Sequence, residues 1–216
     1  MVYLMVEQQF AKYPWCQRTI RGIFEEVRKR RIHVQEVSEL PGGAEERSCV
    51  LLVGASEEWI NQTARGAGSL GLHPIVLSNR ETNSSGLSVS SVKMDIHSSM
   101  ELAVDYLRTL GRERLALFGV NPSASSDLWR ARRFGELTGR EGDVFFLGSS
   151  VNEIFDQFYE KIHRYDGVIC ASDYAAVSLV GRLREKNYAI PEKLYVVGYG
   201  DMFLSRLFRP SITSIS

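Results

Sequence analysis

The stretch that decides the fold is GVICASDYAAVSLVGRLREKNYAIPEKLYVVGYGDMFLSRLFRPSITSIS, residues 167–216. Its two short apolar runs, GVICA and LYVVGYG, have the character of strands that are buried on both faces of a parallel sheet. The segment between them carries apolar residues at helical spacing, and Asn187 is suited to end a helix in a left-handed conformation. The stretch therefore predicts a strand, a helix and a second parallel strand, with ligand-facing loops at Ser172-Asp173 and Tyr199-Gly200-Asp201.

The rest of the chain continues this alternation. Apolar, β-prone runs predict further strands at residues 2–6, 33–37, 49–53, 74–77, 91–94, 115–119 and 144–147. Amphipathic stretches predict helices between most of these strands, and Ser98 with Glu101 forms a capping-box pattern in which Ser98 is the N-cap. Alternating strands and helices indicate an α/β fold, with parallel sheets that are flanked by helices on both faces.

The composition is that of a globular protein without net charge. The 216 residues include 26 Lys and Arg against 26 Asp and Glu, whereas a module that binds nucleic acid is usually strongly basic. We therefore expect no DNA binding by these residues themselves. The N-terminus lacks the basic start of a signal peptide, and no apolar run approaches the ~20 residues of a membrane span, so we expect a cytoplasmic protein that has no membrane contact.

The residues that commonly carry chemistry are scattered. Cys16, Cys49 and Cys170 are far apart and odd in number, which predicts buried free thiols in a reducing compartment. The four histidines show no metal-ligand spacing, and the sequence contains neither a phosphate-binding glycine motif nor a nucleophile elbow. We therefore expect no metal, no cofactor and no catalytic centre.

Several motifs resemble those of the LacI/GalR family of bacterial transcription regulators. Ala171-Ser172-Asp173 stands where members carry A-N-D, VVGYGD at 196–201 where they carry V-V-G-F-D-D, and RPSITSI at 209–215 where they carry a segment like P-P-L-T-T-I. Further matches, such as LAVDYL at 102–107, extend the resemblance over nearly the whole chain. Two positions depart from the pattern, because Ser172 replaces the Asn and Gly200 replaces the first Asp of D-D.

The resemblance implies a periplasmic-binding-protein-like fold of type I, in which two α/β lobes are hinged around a ligand cleft. By this comparison the first lobe comprises residues 1–111 and the second, truncated lobe comprises residues 112–216. Family members begin with a helix-turn-helix and continue beyond the last motif. We therefore expect a sensor that reaches DNA only through a helix-turn-helix outside this chain, and that associates as a homodimer.

Arg130 is the strongest candidate for ligand binding. It falls on the ligand-binding Arg in the R-L-x-G-F motif of the family, early in a helix that follows a strand and a polar loop. Its guanidinium suits bidentate hydrogen bonds to vicinal hydroxyls or to a carboxylate. Without the family motif, an arginine beside Arg132 and Arg133 is more often a surface charge. The match to the motif is the reason why we assign Arg130 to the ligand site.

The resemblance implies further cleft residues, for which structural roles stay open. Tyr13 and Trp15 either form a flat wall for a sugar ring or act as a hydrophobic staple before the first helix. Asp173 and Asp201 either accept hydrogen bonds from ligand hydroxyls or cap the helices that follow them, with capping favoured for Asp173. The remaining residues expected at the cleft are Asp95, Ser98 and Ser172.

These features indicate a non-enzymatic effector-binding domain of a LacI/GalR-like transcription regulator. A ligand between the lobes would shift their relative angle and so alter a linked DNA-binding domain, which requires different affinities for the two arrangements. Two rival classes stay open. A solute-binding protein of a transport system shares the fold but needs an export signal, and an α/β enzyme needs a reactive constellation in the cleft.

The effector is expected to differ from a simple hexose. Ser172 has one donor where the family Asn has two, Gly200 lacks a carboxylate, and Gly148-Ser149-Ser150 stands where members have an aromatic wall. A hydrogen bond to a charged group is worth roughly 1.5–3 kcal/mol, so plain glucose, galactose or ribose should bind poorly. A larger sugar derivative, or an anionic metabolite that pairs with Arg130, is the expected small-molecule effector.

Overall fold

In a computed structural model the protein folds as two compact units, Met1–Met94 and Asp95–Ser216. The structure describes residues 1–43, 48–78, 89–93, 95–148 and 151–216. The family resemblance implied two lobes that divide after residue 111, whereas these two compact units divide after Met94. The reason is that the helix between these two points buries Met100 and Leu107 in a core of the second unit, together with Leu117.

The first unit is built on a parallel sheet. Its strands within the described residues are β1 (Val2–Val6), β2 (Val34–Glu36), β3 (Cys49–Val53), β4 (His73–Ser78) and β5 (Ser90–Lys93), in the spatial order β2-β1-β3-β4-β5. The helices α1 (Pro14–Lys29) and α2 (Glu57–Ser69) connect strands of this sheet. Successive side chains of β3 point to opposite faces of the sheet. Leu52 packs in one cluster with Ile60 of α2, while Val53 packs in another with Cys16 of α1.

The second unit is built in the same way. Its described strands are β6 (Leu115–Val120), β7 (Val144–Phe146), β8 (Gly167–Cys170), β9 (Tyr195–Tyr199) and β10 (Thr213–Ile215), in the order β10-β9-β8-β6-β7. Its helices are α3 (Ile96–Thr109), α4 (Ser125–Thr138), α5 (Val151–Lys161), α6 (Asp173–Glu185) and α7 (Phe203–Leu207). Two short 3-10 segments, Glu141–Asp143 and Ile162–Arg164, precede β7 and follow α5.

The strand-helix-strand unit predicted from residues 167–216 is confirmed. Strands β8 and β9 run parallel, with Ile169 opposite Val197. Between them in the chain lies α6, whose apolar stripe includes the fully buried Leu179 and Leu183. Asn187 follows the end of this helix with a φ of 54°, the left-handed conformation that the sequence predicted.

Apolar side chains cover both faces of the second sheet. Along β6, Ala116 and Phe118 belong to the cluster that α5 and α6 complete, whereas Leu115 and Leu117 belong to the cluster that α3 and α4 complete. Full burial of a Leu or Phe side chain contributes about 1.5–3 kcal/mol relative to exposure. The two clusters thus fix the carboxyl ends of the central strands, where the candidate site lies.

These sheets confirm the predicted fold class. Both are parallel throughout the described residues, and helices flank them as the alternation of the sequence indicated. Within the part of the chain that the structure describes, none of the helices has the length and apolar character needed to cross a bilayer.

The cysteines are free thiols, as the sequence predicted. Cys16 and Cys170 are buried, and Cys49 is half-buried. Burial raises the pKa of the Cys170 thiol well above its ordinary value, and the nearby carboxylate of Asp173 adds to the effect. A thiol of this kind is a poor nucleophile, so Cys170 serves packing.

Candidate functional site

The candidate site lies at the carboxyl edge of the second sheet, where three neighbouring strands end. The loop after β6 leads into α4, the loop after β8 contains Ser172, and the loop after β9 contains Gly200 and Asp201. Open α/β sheets bind their ligands at this edge. Of the predicted candidates, Ser172, Asp173 and Asp201 lie directly after β8 and β9, and Arg130 lies in α4, which follows the loop after β6. The strand order brings these three connections side by side.

Arg130 is built into this edge. It lies in the second turn of α4 with only 7% of its surface exposed, and its guanidinium sits over the ring of Tyr199, with 4.0 Å between Cζ and the ring centroid. One nitrogen, Nη1, donates to Oδ1 of Asp127 at 2.5 Å. A cation held between a carboxylate and an aromatic face is fixed in position, which suits it to orient a ligand.

Two further residues belong to the candidate site: Ser99, which the sequence did not single out, and Tyr199, which the sequence predicted only as part of a ligand-facing loop. Tyr199 is the last residue of β9, and its hydroxyl is hydrogen-bonded to Oγ of Ser99 in the first turn of α3. Asp127 was also missed, although its position three residues before Arg130 on one helix is a signal for such a pair. No comparable pattern links Tyr199 to Arg130, because their contact depends on the tertiary fold.

Ser172 caps α6, and this corrects the capping role that was favoured for Asp173. The Oγ of Ser172 accepts a hydrogen bond from the N–H of Ala175 at 3.2 Å. Asp173 is the first helical residue and is fully buried. Its carboxylate instead accepts from the N–H of Met202 and from the hydroxyl of Ser214, both at 2.6 Å. Asp173 thus ties the loop after β9 and strand β10 to α6.

The loop after β9 is shaped by two residues in left-handed conformations. Gly200 has a φ of 114° and Asp201 a φ of 43°. At the φ of Gly200 a side chain would be strained, so glycine suits this position. The carboxylate of Asp201 pairs with Arg206, and its N–H donates to Oγ of Ser214 at 2.9 Å.

Asp95 is the N-cap of α3, and the prediction that Ser98 caps this helix is wrong. Oδ1 of Asp95 accepts from the N–H of Ser98 at 3.0 Å. With Ser98 as the N-cap, the first helical residue would be Ser99, but α3 already begins three residues earlier, at Ile96. Hydrogen bonds from Ser98 hold the pKa of Asp95 below its ordinary value, and both side chains are exposed.

Tyr13 and Trp15 belong to the first unit. Tyr13 is the N-cap residue of α1 and is half exposed, whereas Trp15 is half-buried against the cluster around Leu4. Both rings lie beside Phe10, at centroid distances of 5.5 Å for Tyr13 and 6.1 Å for Trp15. The two residues therefore form an aromatic group with the preceding turn.

Glu7 is a buried carboxylate at the carboxyl end of β1, and the sequence did not single it out. Its Oε2 accepts from the N–H groups of Ala55 and Ser56 at 2.8 and 3.0 Å, and its Oε1 from the side chains of Ser56 and Gln9. Burial raises the pKa of Glu7, but these hydrogen bonds outweigh it and leave the pKa below its ordinary value. Glu7 thus fastens the loop between β3 and α2 to β1.

The remaining expectations concern metals and an aromatic wall. Among the residues that the structure describes, no group of three or more His, Cys, Asp or Glu is arranged to hold a metal ion. The sequence predicts that the aromatic wall is absent from the segment Gly148-Ser149-Ser150. Ser149 and Ser150 lie outside the residues that the structure describes.

Residues 104–216 match a family model described as a periplasmic binding protein-like domain. Among curated proteins, the HTH-type transcriptional regulator RegA of Clostridium saccharobutylicum is 34% identical over 79 residues, 37% of this chain and 20% of RegA. The HTH-type transcriptional repressor PurR of Vibrio atlanticus is 38% identical over 60 residues, 28% of this chain and 18% of PurR. The chain thus spans about a fifth of the length of the curated relatives it matches.

Solved structures match over the whole chain. A transcription regulator from Lactobacillus plantarum has a TM-score of 0.73 at 16% identity, covering 100% of this chain and 83% of that one. A LacI-family regulator from Burkholderia phymatum has a TM-score of 0.71 at 19% identity, with coverages of 99% and 84%. The transcriptional regulator CelR in complex with cellobiose has a TM-score of 0.66 at 19% identity, with coverages of 99% and 71%. At these identities the likeness concerns the fold.

Proposed function

Since the chain belongs to the family of periplasmic binding protein-like domains, we propose that it is the effector-binding domain of a LacI/GalR-like transcription regulator. The resemblance of its motifs to that family is confirmed by the curated regulators that it matches. In this proposal a small molecule binds at the carboxyl edge of the second sheet. A separate domain, outside these residues, contacts DNA.

The observation that carries the proposal is the placement of Arg130. Arginine is almost never fully buried unless it is paired, because water solvates its charge strongly. Here Arg130 is 7% exposed at the sheet edge that binds ligands in this class of fold, and it is held by Asp127 and Tyr199. The fixed N–H groups of Arg130 and the polar groups of Ser172 and Asp201 on adjacent loops form a set suited to a hydroxyl-rich molecule.

A sugar or sugar derivative is the effector class that we propose. The CelR structure contains cellobiose, and the curated relatives include an arabinose metabolism transcriptional repressor from Halalkalibacterium halodurans, 37% identical over 65 residues. We further propose a homodimer that works in the cytoplasm, beside the DNA that it regulates. The role is binding and not catalysis, in keeping with relatives that are transcriptional regulators.

The test is a thermal-unfolding screen of the protein with neutral mono- and disaccharides, sugar acids and sugar phosphates. A ligand present at a hundred times its dissociation constant stabilises the fold by about 2.7 kcal/mol, which raises the melting temperature by roughly 5–10 °C at this size. Arg130→Ala should abolish that shift. Arg132→Ala is the matched control, because Arg132 is exposed and pairs with Glu136.

Two outcomes would count against the proposal. One is that no compound in the screen gives a shift that depends on Arg130. The other concerns the coding sequence around these residues, where a helix-turn-helix is expected. An export signal in its place would instead identify a solute-binding protein.

A further inference from the structure

Arg130 faces a carboxylate from its own helix. Nη1 of Arg130 donates to Oδ1 of Asp127 at 2.5 Å, and the two side chains are only 9% and 15% exposed. A charge pair this far from water is weakly screened. Any ligand that approaches the guanidinium therefore meets a positive and a negative group together.

Asp127 is held on both of its oxygens. While Oδ1 accepts from Arg130, Oδ2 accepts from the N–H of Asn121 at 3.0 Å, directly after the end of β6. Asp127 also lies in the first turn of α4, where the helix dipole stabilises a negative charge. Moving the carboxylate away from Arg130 would thus break two hydrogen bonds and lose the favourable position at the helix end.

Arg130 is held equally firmly on its other side. Its guanidinium stacks on the ring of Tyr199, whose hydroxyl is fixed by Ser99. Arg206, in the short helix α7 that follows the loop after β9, pairs with Asp201. Arg130 and Arg206 thus each have a carboxylate partner, so these two guanidinium groups offer matched charges in place of a positive patch.

A matched pair discriminates between ligand classes. A carboxylate or phosphate that approaches Arg130 is attracted by the guanidinium but repelled by Asp127 at a similar distance, while it still loses its hydration. A hydroxyl avoids this conflict, since its oxygen can accept from Arg130 and its proton can be donated to Asp127. Two neighbouring hydroxyls of a sugar can use both groups at once.

We propose that Asp127 is a specificity-determining residue of this site, which makes it accept neutral hydroxyl-bearing ligands and reject carboxylates and phosphates. The inference rests on the proposed function of the site. Of the two effector classes that the sequence left open, it selects the neutral sugar derivative over the anionic metabolite.

The experiment uses inorganic phosphate as the probe, titrated at constant ionic strength and followed by calorimetry. Asp127→Asn removes the negative charge but keeps an oxygen for Asn121, and Asp127→Ser is a second neutral variant. In either variant phosphate should bind at least about tenfold more tightly than in the wild type. The added substitution Arg130→Gln should remove this gain. The matched control is Asp166→Asn, which neutralises the partner of Arg114 outside the site and should leave phosphate binding unchanged.

Two results would overturn the inference: Asp127 variants that bind phosphate no more tightly than the wild type does, or a gain in phosphate affinity that survives Arg130→Gln. Thermal unfolding without phosphate checks that each variant is folded. Phosphate is used here only as a probe and not as an effector, so the two proposals can fail separately. If no sugar binds in the ligand screen, the proposed function is contradicted, but the effect of Asp127 on phosphate binding can still be measured.

Discussion

The carboxylate of Asp173 packs against the Cα of Gly198, in a place where no side chain fits. A Cβ added to Gly198 would collide with Oδ1 of Asp173. Because Asp173 is fully buried and bonded to Met202 and Ser214, it cannot move aside without losing those bonds. The glycine in β9 thus permits the close approach of α6 that closes this part of the site.

Gly198→Ala should therefore destabilise the protein. Overpacking of a close-packed interior costs about 1–3 kcal/mol, and displacement of a hydrogen-bonded carboxylate places the effect at the upper end of that range. The measurement is the free energy of unfolding in urea, followed by circular dichroism. The control is Gly181→Ala within α6, where a Cβ meets no atom within 4 Å and where alanine should stabilise the helix by up to about 1 kcal/mol. Equal effects of the two substitutions would contradict the close approach.

Asp173 should matter more for stability than Asp201, although both residues follow strands of the same sheet. Asp173→Asn replaces one accepting oxygen with an NH2 donor that faces the donor of either Met202 or Ser214, so it should cost about 1.5–3 kcal/mol. Asp201→Asn loses an ion pair whose Arg206 side chain is 66% exposed, and should cost less than about 1 kcal/mol. Both costs are measured by urea unfolding. A larger loss for Asp201→Asn would refute the structural role given to Asp173.

The sequence was sufficient where the structure is set by local periodicity. The apolar runs and helical stripe of residues 167–216 predicted β8, α6 and β9, and Asn187 marked the end of the helix, because these signals lie within a few residues of the elements they specify. The caps were harder to assign. Asp95 and Ser98, like Ser172 and Asp173, are polar residues close together before a helix, and only the backbone geometry decides which side chain accepts the bond.

Long-range contacts explain the remaining differences. The two compact units divide before residue 111 because α3 packs in the core of the second unit. The amphipathic pattern of a helix does not show whether it packs against the strands that precede it or against those that follow it. The stacking of Arg130 on Tyr199, and the approach of Glu7 to Ser56, join residues far apart in the chain. No spacing rule anticipates such pairs.

Glu7 should make the stability of the protein depend on pH. Its pKa in the folded state lies below the ordinary value of about 4.3, so its stabilising effect is complete above that value and is lost as the pH falls through the lower, folded-state pKa. Glu7→Gln should consequently unfold at lower urea concentration than the wild type at pH 7. The difference between them should shrink as the pH is lowered below about 4. A difference that stays constant from pH 7 to pH 3 would show that the charge of Glu7 is not what its hydrogen bonds stabilise.

The stacking of Arg130 on Tyr199 should appear as a coupling energy. In a double-mutant cycle, Arg130→Met and Tyr199→Leu each remove one partner of the contact. The loss of folding free energy in either single variant also includes the effect of groups left unpaired, such as Asp127 after the loss of Arg130. The coupling between them isolates the contact, and a partly desolvated cation over an aromatic ring should give about 0.5–2 kcal/mol.

The same cycle with Tyr199→Phe separates the ring from the hydroxyl. Phenylalanine keeps the aromatic face 4.0 Å from the guanidinium but loses the hydrogen bond to Ser99. We expect the coupling with Arg130 to be obtained with leucine and to be nearly absent with phenylalanine, since the latter preserves the interaction that the cycle measures. Urea unfolding of the four proteins in each cycle provides the values. A coupling within about 0.3 kcal/mol of zero in the leucine cycle would mean that the ring does not hold Arg130, and a full coupling in the phenylalanine cycle would assign that role to the hydroxyl.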